Sequence, residues 1–339
     1  MYLLSLIVPI YNSEEYIDNL INSIINQSIG FDNIELILVD DLSTDNSKKI
    51  IEDYSKKYNN IIPYYSNINH GFPGFGRNMG IGLSTTEYVM FIDHDDELDK
   101  DVCKNFYETI TNENADLVCC DIINNDPLGV KKENIPYVNG IETEKFVIIK
   151  DDDIPLFGSI SIWNKLFKKE IITENQIKFI EWSYADDLTF SLSYFLKSKT
   201  LIYLKDYFGY KWNNRPTSLS HTVAKEHLIG LINAYRDIIV IFKKENKVEL
   251  ANTILKRYIG YLIIQCSYVD ADNAEIEKIL KEIHDFEIEI GSNELTGIWA
   301  KTVNYFILNE NYTIARIILK ITDKIRKIEI LRKISRKIS

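Results

Sequence analysis

YVMFIDHDDEL, residues 88–98, is a run of five apolar or aromatic side chains that ends in four acids, Asp93, Asp95, Asp96 and Glu97. The run is short and unbroken, the pattern of a strand buried on both faces. Carboxylates this close repel one another, and solvent, a helix N-terminus or a bound cation has to offset them. Asp93 and Asp95 stand one residue apart and can point the same way from a strand end. That arrangement suits a shared Mg2+ or Mn2+, ions that often take one or two carboxylates and leave room for diphosphate oxygens. The plainer reading is that the acids lead into a helix from Asp99 onward and cap it.

The same alternation repeats on both sides. The runs LLSLIVPIY, IELILVD, IIPYYS and DLVCCDII fit further buried strands. Between them EEYIDNLINSIINQ, NSKKIIEDYSKKY, GRNMGIGLS and KDVCKNFYETITNEN fit amphipathic helices. The expected fold class is α/β with a doubly wound, mostly parallel sheet, in which ligands bind at the carboxyl ends of the strands. A second acid pair, Asp40 and Asp41 in LVDDLSTDNS, ends such a strand. It either closes the strand ahead of a helix capped from within Ser43 to Ser47, or offers a carboxylate to a nucleoside edge. NHGFPGFGRNMGIG, residues 69–82, reads as a glycine turn leading into a helix able to face phosphate, although it is neither a P-loop nor a dinucleotide fingerprint. Arg77 within it is open to a phosphate, a base, or an ion pair with one of the acids.

All seven prolines and ten of the fourteen glycines lie at or before Pro216, and long helical patterns follow. The expected organisation is an α/β domain over residues 1–222 and a helical domain over 223–339. Four cysteines without CxxC spacing, and only five histidines, argue against structural zinc and for reduced thiols in a cytoplasmic compartment. MYLLSLIVPIYN reads as a first strand rather than a leader. The net charge of −11 disfavours nucleic acid as a partner. It is unevenly spread: residues 319–339 carry eight Lys/Arg against two acids, a basic end on an acidic body.

VPIYN at 8–12, VDDLSTDNS at 39–47, NHGFPGFGRNMGI at 69–81 and FIDHDDEL at 91–98 together resemble the family 2 glycosyltransferases of the GT-A fold, of the kind that build envelope or capsule polysaccharide. Their order and spacing agree with the family forms VPxYN, VDDGSxDxS, NxGxxxARNxGI and FLDxDDxL. SIWNKLFKKEII at 161–172 and YADDLTF at 184–190 are similar to two further family segments. Leu42 stands at the family's usual glycine, Gly76 at its usual alanine and Asp186 at its usual Glu.

The resemblance implies an enzyme that transfers a sugar from a nucleoside diphosphate, usually UDP, to an acceptor hydroxyl of a glycan, a lipid-linked molecule or an envelope polymer, with inversion. It implies Asp187 as general base, against a plainer reading of the same acid as a helix N-cap. Asp41 matches the base-binding position, with Pro9 and Tyr11 lining that end. Asp93 and Asp95 match the ribose and metal positions, for Mn2+ or Mg2+, and Asp186 is expected to orient a sugar. YKWNNRPTSLSH at 210–221 resembles the family's segment after the last strand, in which Lys211, Arg215 and His221 would close over the diphosphate, His221 as a further metal ligand. Trp163 and Trp182 offer an apolar face to a sugar ring or belong to the core. A nucleotidyltransferase would show a glycine-rich loop with a basic residue near the first strand, which VPIYNSEEY lacks. A non-catalytic sugar-nucleotide-binding or scaffolding protein remains the alternative, and it would be expected to have lost Asp95 or Asp187.

The helical half carries no chemical motif. Ile317, Ile321, Ile325, Ile328, Leu331 and Ile338 follow helical spacing with Lys and Arg between them. This is either a peripheral contact with the inner face of the cell membrane or a last packing helix with a solvated basic side. The remainder is open between acceptor surface and a homo-oligomer contact.

Overall fold

The computed structural model describes residues 1–126, 129–134, 140–156, 160–182, 185–214, 225–269, 271–291, 298–322 and 324. By internal contacts the chain divides into two compact units, 1–214 and 215–339.

In the first unit four apolar runs form parallel strands, β1 (Leu4–Ile10), β2 (Ile34–Asp40), β3 (Ile61–Tyr65) and β4 (Tyr88–Phe91), in the order β3-β2-β1-β4. Every residue of β1, β2 and β4 is buried, which is why these runs show no alternation of period two. Pro9 is tolerated in this central strand because the β1–β4 pairing already ends at Ile7 and Phe91, so no ladder bond is lost on that side. The crossovers are α1 (Ile17–Ile25), α2 (Ser47–Lys57) and α3 (Pro73–Leu83). In α1 the buried residues Ile17, Leu20, Ile21 and Ile24 form the helical stripe the sequence predicts.

Beyond β4 come β5 (Glu97–Leu98), α4 (Val102–Asn112) and β6 (Leu117–Asp126), the last of the expected apolar runs. Residues 124–160, to which the sequence assigns no element, contribute β7 (Gly129–Glu133), β8 (Ile141–Glu142) and β9 (Val147–Lys150). Then β10 (Lys165–Lys168) enters antiparallel between β4 and β6, followed by α5 (Lys169–Glu174), α6 (Asp186–Lys197) and β11 (Thr200–Asn213). β11 runs parallel to β6 and antiparallel to β9 and β5. The sheet is therefore parallel through β3-β2-β1-β4 and mixed beyond it. Residues 205–213 belong to β11: its register on β6 jumps from Leu204 to Phe208, with Asp206 in the left-handed region at φ 58°.

α3 begins at Pro73, directly after the turn at Gly71, so Gly74 and Gly76 lie inside the helix and do not form a phosphate-facing loop. A Cβ on Gly74 would collide with the backbone oxygen of Ile180, and one on Gly76 would stand 2.9 Å from Cβ of Pro9. Close packing of the helix on β1 and on the 178–182 segment explains both residues.

The second unit is built from α7 (Lys225–Lys244), α8 (Val248–Gln265), α9 (Asn273–Ile290) and α10 (Ile298–Leu308), with residues 312–322 also helical. Their buried stripes include Leu228, Ile238 and Phe242 of α7, Leu255 and Leu262 of α8, and Leu280 and Ile283 of α9. A reciprocal capping box of Asp272 and Glu275 starts α9, and Gly291 at φ 66° ends it. Most of the basic end, residues 325–339, lies outside the described residues. Among the described residues no helix is long and apolar enough to cross a membrane. The four cysteines are buried and unpaired.

Candidate active site

The acids gather at the carboxyl end of the parallel strands, and one buried arginine organises them. Arg77 Nη1 donates to Asp186 Oδ2 at 2.5 Å and Asp187 Oδ1 at 2.7 Å, while Nη2 donates to Asp93 Oδ1 at 2.8 Å. Its side chain is 4% exposed, and its guanidinium lies 5.4 Å from the Phe179 ring centroid. Of the uses open to Arg77 in the sequence, the structure shows the ion pair, with three acids at once.

Asp186 and Asp187 open α6, whose N-cap is Ala185, so neither is the N-cap itself. The helix dipole favours both ionised acids. Asp186, expected to orient a sugar, is buried and bound to Arg77, whereas the Asp187 side chain keeps 26% of its surface. Burial pushes the Asp187 carboxyl up to about 7, against the pull of Arg77.

The rest of the FIDHDDEL cluster is divided among different partners. Asp96 is buried and accepts from the Tyr210 hydroxyl at 2.6 Å and the Asn213 N–H at 2.8 Å; burial and the neighbouring acids raise its pKa. The Asn213 amide also donates to the backbone oxygen of Asp95. The end of β11 thus straps the acid loop. Asp95 is half-buried, and α4 starts only at Val102, so these acids do not cap it. Tyr210, Asn213 and the roles of the strap escaped the sequence reading; the β11 bulge that delivers them has no sequence signature.

At the nucleotide end Asp41 accepts from the His70 N–H at 2.8 Å, the Gly71 N–H at 3.2 Å and the His70 ring Nδ1 at 2.6 Å. Its carboxylate therefore anchors the 69–71 turn, and the His70 ring it holds is stacked on Phe75 at 3.5 Å. His70 was missed because it occupies a variable position of the glycine motif. Pro9 does not line this end: it is buried under Gly76. Tyr11 is 45% exposed. The VPIYNSEE and STDNS loops are clamped together. Asn12 Oδ1 accepts from the Thr44 N–H, Glu14 Oε2 from the Asn46 N–H, and Asp45 Oδ2 from the Glu14 N–H. Asn46, the N-cap of α2, makes no side-chain cap bond, and Asp45 serves both the clamp and the helix start, its Oδ1 accepting from the Ser47 N–H at 2.9 Å.

Lys211, expected to close over the diphosphate, pairs with Glu97 Oε1 at 2.7 Å across β5 and β11. Trp163 is half-buried and stacked on Tyr210 at 4.6 Å, with Trp212 at 6.3 Å, so one ring face is covered by protein. Trp182 is 77% exposed. Arg215 and His221 lie outside the described residues. Lys165, also unanticipated, is buried and held by Ser161 O and by Asn164 Oδ1 at 2.9 Å; burial lowers its pKa to about 8.

Among the described residues no group of three His, Cys, Asp or Glu side chains is arranged to hold a metal ion. Mg2+ and Mn2+ need only one or two carboxylates completed by phosphate oxygens, and Asp93, whose Oδ1 accepts from Arg77, and the half-buried Asp95 follow β4 together.

An open sheet with its carboxylates gathered at the strand ends is the arrangement expected of the GT-A class, and the structural match below shares that fold. Residues 5–161 match the sequence profile of glycosyl transferase family 2. The chain is 30% identical over 268 residues to the poly(ribitol-phosphate) beta-glucosyltransferase of Bacillus spizizenii, covering 76% of this chain and 40% of that one. To the poly(ribitol-phosphate) beta-N-acetylglucosaminyltransferase TarP of Staphylococcus aureus it is 32% identical over 221 residues, 64% of each chain. It thus spans less than two thirds of either relative. The structure of S. aureus TarS 1–349 in complex with UDP superposes with a TM-score of 0.71 at 22% identity, over 94% of this chain and 90% of that one, and shares the fold.

Proposed function

We propose that this chain transfers glucose or N-acetylglucosamine from UDP to a hydroxyl of a poly(ribitol phosphate)-type envelope polymer, with inversion. The observation that carries the reading is the convergence of a strand-end acid, Asp93, and a helix-start acid, Asp187, on one guanidinium. It brings a donor-side and an acceptor-side carboxylate together. The TarS complex supports UDP as the leaving group, and the names of the two relatives support the sugar and the polymer.

The acceptor oxygen attacks the anomeric carbon opposite the diphosphate, the bond to the diphosphate oxygen breaks, and the acceptor proton passes to Asp187. Asp95, with Asp93, would hold Mn2+ or Mg2+, which when bound stabilises charge developing on the diphosphate. Tyr11 and the Asp41–His70 pair line the base end. Tyr210 and Asn213 keep the acid loop in place.

The test is UDP release from UDP-glucose and UDP-N-acetylglucosamine, with and without poly(ribitol phosphate), in Mn2+ or EDTA. We expect polymer-stimulated, metal-dependent release from one donor. Asp187→Asn lowers it by roughly 10²- to 10⁴-fold, the usual worth of a general base, and Asp95→Ala removes the metal dependence. Absence of both turnover and metal-linked UDP binding would sink this reading.

A further inference from the structure

The proposed chemistry leaves the most highly connected side chain of the site without a part. We propose that Arg77 is a positioning residue, holding the base Asp187 in line with the donor-side Asp93 through one shared guanidinium; this rests on the reading of Asp187 as the base. With 4% of its side chain exposed, Arg77 acts through these carboxylates and does not touch substrate.

The arginine is fixed from several directions. Its helix packs without Cβ clearance against the Ile180 backbone at Gly74 and against Pro9 at Gly76. The adjacent Asn78 donates from Nδ2 to Phe179 O at 2.9 Å and accepts from Phe179 N–H at 2.9 Å. That pins the segment whose aromatic ring lies beside the guanidinium. The backbone on either side of the arginine is therefore set before any substrate arrives, a form of preorganisation.

The shape of the group matters as much as its charge. One nitrogen serves Asp186 and Asp187, and the other reaches Asp93, along the diverging directions of a planar fork. A lysine carries the same charge as a single point and cannot hold three carboxylates in that geometry. Asp186, buried and bound to the same nitrogen as Asp187, steadies the fork from behind. A one-ångström displacement of Asp187 is enough to matter, since such shifts cost about 10²-fold in rate.

The test is a double-mutant cycle of Arg77→Lys and Asp187→Asn. Its readouts are kcat with UDP-glucose or UDP-N-acetylglucosamine, UDP affinity by calorimetry, and melting temperature. Arg77→Lys is expected to lower kcat about 10²-fold while UDP affinity is retained. The double variant should be no slower than Asp187→Asn alone, because the arginine works through the base. If Arg77→Lys melts below the assay temperature, the cycle is run with Asp186→Asn added throughout, which removes a buried carboxylate the lysine leaves unpaired. Losses that multiply in the double variant, or a parallel loss of UDP affinity measured in EDTA, where Asp93 holds no metal, overturn the positioning role and leave the base standing. Asp187→Asn as fast as wild type instead sinks the base, and the positioning role with it.

Discussion

Leu42 adopts φ 62° at the end of the VDD segment, where the family's usual residue is glycine. A left-handed backbone costs an L-residue roughly 1–2 kcal/mol, and the side chain, 45% exposed, recovers little by packing. Leu42→Gly should therefore stabilise the protein, less the greater freedom that glycine has when unfolded, for a net of about 0.5–1 kcal/mol. A melting temperature raised by roughly 2 °C is expected, measured by calorimetry on the whole chain. A fall would mean that Leu42 packs against something its exposure does not reveal. The sequence marks Leu42 as a departure but not as a strained one, because dihedrals are not written in residue type. Arg77 is similar: one residue type fits a phosphate and an ion pair equally, and only its burial among three acids decides.

At the scale of elements, β1, β2, β3, β4 and β6 are legible because unbroken apolar runs between amphipathic helices have few other uses. β10 and β11 are not. WNKLFKKEII looks helical along much of its length, and β11 is interrupted by its bulge, so neither shows a clean period. The same limit applies to polar residues inside helices. Glu287 of α9 reads as a surface acid, yet it is buried, accepts from Asn304 Nδ2 of α10 at 2.9 Å, and is pushed by burial up to about 7. Among the described residues Glu287 Oε2 and Asn304 Oδ1 lack partners. Folded Glu287 thus binds its proton more tightly than the unfolded chain does. Its stabilising share is full below about 4.5 and is lost as pH rises towards about 7. Glu287→Gln, whose amide can donate at any pH, should melt above wild type at pH 8 and near it at pH 5. An equal gap at both values would show that Glu287 does not titrate across this window.

The site as a whole exists only in the folded molecule. Arg77 comes from α3, Asp93 from the turn after β4, and Asp187 from the start of α6, more than a hundred residues further along than Arg77. The motifs name these acids, but their common dependence on one guanidinium follows from the sheet order and the close seating of α3. Three carboxylates around one cation leave an excess of negative charge in a place largely shut off from water. That excess has a consequence for rate. A base must be ionised to accept the acceptor's proton, and burial holds Asp187 at about 7, well above an ordinary carboxylate. Transfer at saturating UDP-sugar should therefore be slow at pH 5.5, climb through an apparent pKa near 7, and level off above it. Arg77 favours the ionised form, so Arg77→Gln should move the limb to higher pH as well as lower the plateau. A rate flat from pH 5.5 to 8.5 would place the controlling step outside proton transfer, and an unshifted limb in Arg77→Gln would show that the arginine does not set the ionisation of the group.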